Sequence, residues 1–535
     1  MTGFNEAEIG RAIMADMIKG FGPGFPPLEE LFAIELTTED IQRLESPTPY
    51  LGRYYKSNAF LKDVTSAASI GLKRFNVIVE YFIALSELME TYKGSRPKII
   101  RQLTPEEKAW LRRLGTTYKE IKIAEAIEKF SEHDTAAAGD SCKLRTGYYQ
   151  PSLAAYIEGI QFMETSEDTM SIVFGLIGNQ LVYHHFMVKL IDFCLSRIEF
   201  ARKFDLIIPA LTHEQAAEPT TIAKKFANRL NAINNLINEL VGNNGEFKPF
   251  SGKLNGAVGN FTSFYAAYPD IDWPNFARKF VEEKFGLFYE DMTDQCASFT
   301  REAFIFSVIG NILTQVIKLT DDFIKSARCP AQFFVKAKKA GTKGSTIMPT
   351  KSNAWGQEGG KIALKKSRHM LTFLSENLPD YPDEGNMARS ILFRDIGSDF
   401  MPAFTGLDRI GEEMGKYIPN QDNIREFFDR YPGMSGSSIQ IALKAHRILG
   451  DAYRVIQEIA INPDGSYAKS EQFKDGFEKK MEQLGLSEEV RVELRSLLAP
   501  ENLIKKAREM AFSSLAKLET AFKEHRERAL KIKTI

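Results

Sequence analysis

The sequence predicts an all-α fold organised around a bundle of long helices, and three apolar stripes carry that prediction. Met170, Val173, Ile177, Leu181, Val188, Ile191, Leu195 and Ile198 recur mostly at three- and four-residue steps, with His184 standing between Leu181 and Val188. Ile222, Phe226, Leu230, Ile233, Ile237 and Leu240 repeat the spacing, as do Ile305, Val308, Ile312, Val316, Leu319 and Phe323. Such steps put each set on one helix face. Stripes of this length, on helices of roughly 20 to 35 residues, are buried by packing helix against helix.

Composition bounds the rest. With 535 residues, 44% hydrophobic and 26% charged, the chain is long enough for two or three domains with their own cores. A net charge of −1 argues against general nucleic-acid binding. Cys142, Cys194, Cys296 and Cys329 lie far apart, without the close spacing of a zinc site or a disulfide framework, so neither is expected and a reducing cytoplasm fits best. The N-terminus lacks a basic stretch followed by an apolar core, and no run of 18 or more residues reads as apolar enough to span a membrane.

In chain order, Gly20-Phe21-Gly22-Pro23-Gly24 breaks an early helix and marks residues 1–45 as an extension. A helical N-terminal domain is expected over 46–155 and the long-helix bundle over 156–419. A C-terminal helical domain is expected over 420–535, punctuated at Tyr431-Pro432-Gly433, Asn462-Pro463-Asp464-Gly465 and Ala499-Pro500. Its closing segment sets Phe512, Leu515, Leu518 and Phe522 on one side and carries nine Lys/Arg against four Glu from Lys505 onward. That pattern reads as a helix packed on its own domain with a solvated basic face, rather than one docking on a membrane or partner.

The stretch that draws chemistry is Ala340–Asn353, between two helical segments. No acidic residue occurs between Asp322 and Glu358, while Lys325, Arg328, Lys336, Lys338, Lys339, Lys343 and Lys351 are basic, so a polyanion is attracted there. Gly341 and Gly344 permit unusual backbone angles, and Gly344-Ser345-Thr346 offers hydroxyls and backbone N–H groups to an oxyanion. Composition alone is equally that of a solvated linker.

The loop resembles the signature of the fumarase/aspartase superfamily, Gly-Ser-Ser-x-Met-Pro-x-Lys-x-Asn-Pro, with Thr346 in place of the second serine and Ala354 in place of the final proline. Other stretches resemble the adenylosuccinate lyase branch in the same order along the chain. These are Gly52-Arg53-Tyr54; Glu132-His133-Asp134; Thr165-Ser166-Glu167-Asp168; Thr212-His213-Glu214-Gln215-Ala216-Ala217-Glu218-Pro219-Thr220-Thr221; Lys253–Phe261; and Ser390 to Gly397 with Arg394. Thr165 and Ser166 also read as a helix N-cap, and Pro219-Thr220-Thr221 as a capping loop. The chain departs from the branch at Gly385, where a substrate-binding arginine is expected, and after Gln295, where Ala297 and Phe299 replace polar residues.

The resemblance implies a three-domain, all-α homotetramer that needs no cofactor and acts on a small purine nucleotide, with sites drawn from three subunits. It implies β-elimination of fumarate from adenylosuccinate, giving AMP, and from the related succinylcarboxamide purine intermediate. Ser345, six residues before Lys351, takes the part of the base, with Thr346 as the alternative; His213 is the acid. Arg53, Tyr54, Ser390 and Arg394 are expected on the nucleotide and its phosphate. His133, Asp134, Thr165, Ser166, Gln295, Lys351 and Asn353 are expected on the remainder of the substrate. The departures leave open a different N-succinyl substrate or a silent paralogue.

Overall fold

The computed structural model describes residues 48–534 apart from Lys338 and Leu449, together with a few positions before 48; most of the expected 1–45 extension lies outside the described residues. Helix α1 (Ala67–Thr91) opens the N-terminal part, its first turn capped by Ser66 Oγ accepting from the Ser69 N–H. Two shorter helices, α2 (Tyr118–Ser131) and α3 (Asp134–Tyr149), pack against each other and α1.

The first stripe becomes one continuous helix, α4, running through Ser166–Gly178, a π-helical Asn179–Met187 and Val188–Lys203. The π segment carries His184, whose Nε2 lies 2.7 Å from the Ile532 carbonyl, so the polar residue in the apolar stripe seats the chain's end. A hairpin follows, β1 (Ile207–Thr212) and β2 (Gln215–Thr221), antiparallel with Thr212 opposite Gln215. The expected capping loop is therefore a strand whose last residue does the capping: Thr221 Oγ1 accepts from the Lys224 N–H and starts α5 (Ile222–Glu239).

After a short parallel pair, β3 (Ser251–Gly252) and β4 (Phe288–Tyr289), the third stripe forms α6 (Thr300–Ala327). By length and apolarity α6 would suffice to cross a membrane, which corrects the expectation that no stretch does. Its stripe residues are nonetheless buried in the protein core. Strand β5 (Phe334–Lys336) leads to the glycine-lysine loop, followed by α7 (Trp355–Asn377), the short α8 (Ala388–Arg394) and α9 (Ile396–Met414). Strand β6 (Tyr417–Pro419) returns to pair with β5.

Cross-helix contacts fix directions. Lys361 pairs with Asp321 at 2.6 Å and Arg368 reaches Thr314 at 3.4 Å, so α7 runs antiparallel to α6. Arg229 pairs with Asp322 at 2.8 Å while Phe226 stacks on Phe200, so α5 runs antiparallel to both α4 and α6. One core of stripe residues joins these helices. A second, smaller core of Ile439, Leu443, Ile456, Phe477, Met481 and Leu494 holds the region that begins with α10 (Gly436–Ala445). The closing helix, α11 (Lys505–Lys531), buries Leu515, Leu518 and Phe522 against α4 and α5, so the basic tail packs on the long bundle rather than on that smaller core.

Candidate active site

The residues singled out from the sequence fall at two ends of the bundle. Thr165 and Ser166 open α4, whereas the His213 hairpin follows its close; 38 residues of helix separate them by about 57 Å. Asp134, Gln295, Ser390 and Arg394 belong to the first end, preceding or opening α3, α6 and α9. Ser345, Thr346, Lys351 and Asn353 belong to the second, between the close of α6 and the start of α7. Within one chain the two sets do not meet.

At the first end, Asp168 is fully buried and saturated. It accepts from the N–H groups of Thr165 (2.9 Å), Asn255 (3.0 Å) and Gly256 (3.2 Å) and lies 3.2 Å from Lys253 Nζ. Lys253, also fully buried, donates to the carbonyls of Gly256 and Gln295 at 2.8 and 2.9 Å. The capping reading of Thr165-Ser166-Glu167-Asp168 holds: Thr165 is the N-cap and Asp168, three residues on, accepts from its N–H, while also locking the 253–256 segment under the start of α4. Glu164 buries both carboxyl oxygens without partners among the described residues, and burial, reinforced by Asp168, pushes its carboxyl far above the usual range.

His133 caps α3 through Nδ1, which accepts from Ala136 N–H at 3.4 Å, and its ring is half exposed. Beside it Asp134 receives Arg74 Nη2 at 2.7 Å and Arg394 Nη2 at 2.5 Å. Burial pushes the Asp134 carboxyl up, but the two guanidiniums outweigh it and hold it below the usual range. Arg394 also lines a cavity of about 540 Å³ with Lys62, Thr65, Ser66 and Ser398. The Gly52-Arg53-Tyr54 tripeptide reaches this cavity through its neighbours Leu51 and Tyr55. Arg53 is exposed and not among the lining residues, and Tyr54 turns away to accept from Arg409 Nη1 at 2.9 Å. Ser390 is buried one turn before Arg394.

The two departures prove to be neighbours. A Cβ at Gly385, whose φ is 150°, would collide with Cys296 Sγ, so no larger side chain fits there without displacing that buried cysteine. Ala297 and Phe299 are buried as well. Over the Phe299 ring, 5.2 Å from its centroid, lies the guanidinium of Arg389, which pairs through Nη2 with Glu167. Burial pushes Glu167 up and Arg389 down, and their mutual attraction offsets only part of each shift. Arg389 escapes sequence reading because the chemistry of Ser390 and Arg394 draws attention to the other positions of the same short helix.

At the second end the backbone does much of the positioning. His213 and Glu214 both have positive φ, 51° and 63°, and form the two-residue turn of the hairpin. Glu214 is held by Lys325 Nζ at 2.8 Å and Arg328 Nη2 at 3.5 Å, from the close of α6. Midway along β2, Glu218 accepts from Ser437 Oγ of α10 at 2.6 Å. In the signature loop, Ser345 Oγ accepts from the N–H groups of Ile347 (3.3 Å) and Met348 (3.1 Å). Asn353 Nδ2 donates to the Gly344 carbonyl at 2.8 Å, closing the loop, and a Cβ at Gly344 would strike the Lys351 carbonyl. Thr346 and Lys351 are exposed, as is Ile347 at 85%. Two N–H donors converging on one hydroxyl oxygen favour negative charge on it; this suits a proton-accepting serine.

Comparison with known proteins finds lyases. The model of a family described as Lyase matches residues 128–365. The adenylosuccinate lyase of Dictyostelium discoideum is 26% identical over 478 residues, covering 88% of this chain and 98% of the relative. That of Escherichia coli strain K12 is 26% identical over 476 residues with the same coverage. Among solved structures, a fumarate lyase from Mesorhizobium sp. BNC1 superposes with a TM-score of 0.60 at 16% identity, over 86% of this chain and 98% of that one. The β-carboxy-cis,cis-muconate cycloisomerase of Acinetobacter calcoaceticus superposes with a TM-score of 0.57 at 14% identity, over 87% and 100%. Over nearly its full length the chain is thus similar to adenylosuccinate lyases, and residues 128–365 of it to the Lyase family model.

Proposed function

We propose that this protein is an adenylosuccinate lyase, eliminating fumarate from adenylosuccinate to leave AMP, and doing the same to the related succinylcarboxamide purine intermediate. The observation that carries the reading is the Ser345 oxygen held by two backbone N–H groups inside the superfamily's signature loop. An ordinary hydroxyl is too weak a base for a proton beside a carboxylate, and donors aimed at its oxygen lower the cost of the alkoxide.

In this reading Ser345 takes the proton, and Lys351 with the loop's N–H groups stabilises the dianion that develops as the C–N bond weakens. His213 protonates the departing nitrogen, each proton transfer contributing roughly 10²–10⁴ in rate. Thr165, Ser166, Gln295 and His133 hold the succinyl portion, and Ser390 with Arg394, beside its cavity, holds the phosphate. Because the two residue sets lie at opposite ends of α4, the working site joins ends from different copies, and a homotetramer in the cytoplasm is its expected form. The exposed Ile347 beside Ser345 suits a loop that a neighbouring copy or substrate covers.

A second reading, a lyase for another N-succinyl compound, is favoured by Cys296 filling the space beside Gly385 and by the buried Phe299. Incubating purified protein with adenylosuccinate and following ultraviolet absorbance tests the first reading. Release of AMP and fumarate is the expected result; an unchanged spectrum, with fumarate released from a different N-succinyl compound, selects the second.

A further inference from the structure

We propose that Arg389 and Glu167 form a positioning pair that sets the separation of the two serine-bearing segments gripping the substrate. The inference rests on the proposed reading for the roles of Ser166 and Ser390. It rests on the structure for the pair itself, since Glu167 follows Ser166 directly and Arg389 precedes Ser390 directly, so one ion pair ties α4's first turn to α8.

Three observations argue for more than packing. Arg389 is 3% exposed, yet its Nε and Nη1 find no hydrogen-bond acceptor among the described residues. Leaving guanidinium donors unmet in a core is a costly way to join two helices that an apolar contact would join better. Second, the guanidinium is oriented by Phe299, one of the two apolar residues that replace the expected polar ones, so a departure from the family pattern serves the pair. Third, the neighbouring departure excludes the alternative cation, because Cys296 occupies the space a side chain at 385 would need.

Charges nearby do not replace the pair. Lys253 is committed to Asp168 and two carbonyls, and Arg394 to Asp134. The buried Glu164 carboxyl, without a hydrogen-bond partner among the described residues, offers no positive charge to hold Glu167. Without Arg389, Ser166 and Ser390 lose their common reference.

The test is a double-mutant cycle read by fumarate titration calorimetry, which does not depend on the identity of the leaving group, alongside steady-state kinetics. Arg389→Met and Glu167→Gln are each expected to weaken fumarate binding and raise KM about tenfold with kcat nearly unchanged. The double variant should be no worse than either single, and Arg389→Lys should recover part of the loss. Circular dichroism and assembly size serve as controls for folding, and the near-isosteric Glu167→Gln keeps the test open if Arg389→Met fails to fold. Wild-type Kd and KM in folded variants, additive losses, or a wild-type protein that does not bind fumarate would overturn the proposal. Failure of the wild type to convert adenylosuccinate while fumarate binding follows the cycle would reject only the proposed substrate.

Discussion

Lys325 Nζ donates to Glu214 Oε1 at 2.8 Å, and this contact ties the His213 turn to the close of α6, from which the chain enters the signature loop. A glutamate at φ 63° is strained relative to glycine, so its side chain is retained at some conformational cost. Replacing it by glycine relieves the backbone and removes the tether. Glu214→Gly should leave the melting temperature unchanged or raised while kcat falls several-fold; scanning calorimetry with initial-rate kinetics checks both halves of that outcome.

Arg394 donates to Asp134 and lines the cavity beside α9. Arg394→Leu removes a charge-assisted donor and should raise KM for a phosphorylated substrate about ten- to a hundredfold, with a smaller effect on kcat. Asp134 keeps Arg74 at 2.7 Å, so the variant should fold. Comparing KM for adenylosuccinate with that for its dephosphorylated nucleoside checks the assignment: the difference seen in the wild type should disappear.

Separation of the two residue sets by the length of α4 predicts complementation. Ser166→Ala and Ser345→Ala should each be nearly inactive alone, yet co-assembled protein should regain activity, because some sites then pair an intact first end with an intact second end. Activity of mixed assemblies, after unfolding and refolding together, is the measurement; recovery absent from verified mixed assemblies would mean each chain builds its own site.

His525 is buried in α11, with Nε2 3.2 Å from Asn234 Oδ1 and Nδ1 3.2 Å from Arg528 Nη1. Burial, with Arg528 adding to it, pulls its pKa down to about 4. The folded-state value lies below the unfolded one, so the unfolded state takes up the extra proton as pH falls. The stabilisation is present above about pH 6.5 and is lost progressively toward pH 4. Melting temperature should decline over that window, and His525→Gln should decline less steeply.

Much of the fold was legible because hydrophobic periodicity is local. The Ile305–Phe323 stripe specifies α6 without knowledge of its neighbours. The hairpin was not legible, since its turn of two non-glycine residues at positive φ is held through Glu214 by Lys325 and Arg328 more than a hundred positions away, which no local pattern reports. Motif spacing singled out Ser345 and Asn353 as candidates, and the geometry adds what spacing lacks: Asn353's amide closes the loop on Gly344. Arg389 and Glu167 were hidden because their importance arises only where α4 and α8 meet. Arg53 and Tyr54 looked like one unit with Arg394, yet Tyr54 faces Arg409, since consecutive side chains at a helix entry point in different directions.

The most direct test of the account is the turnover of adenylosuccinate by Ser345→Ala set beside Thr346→Val. Ser345 carries the oxygen on which two N–H groups converge, and Thr346 is exposed beside it. The account predicts that Ser345→Ala lowers kcat by roughly 10²–10⁴ while substrate still binds, and that Thr346→Val keeps most activity. A Ser345→Ala enzyme turning over within a few-fold of the wild type, with Thr346→Val inactive, would contradict it.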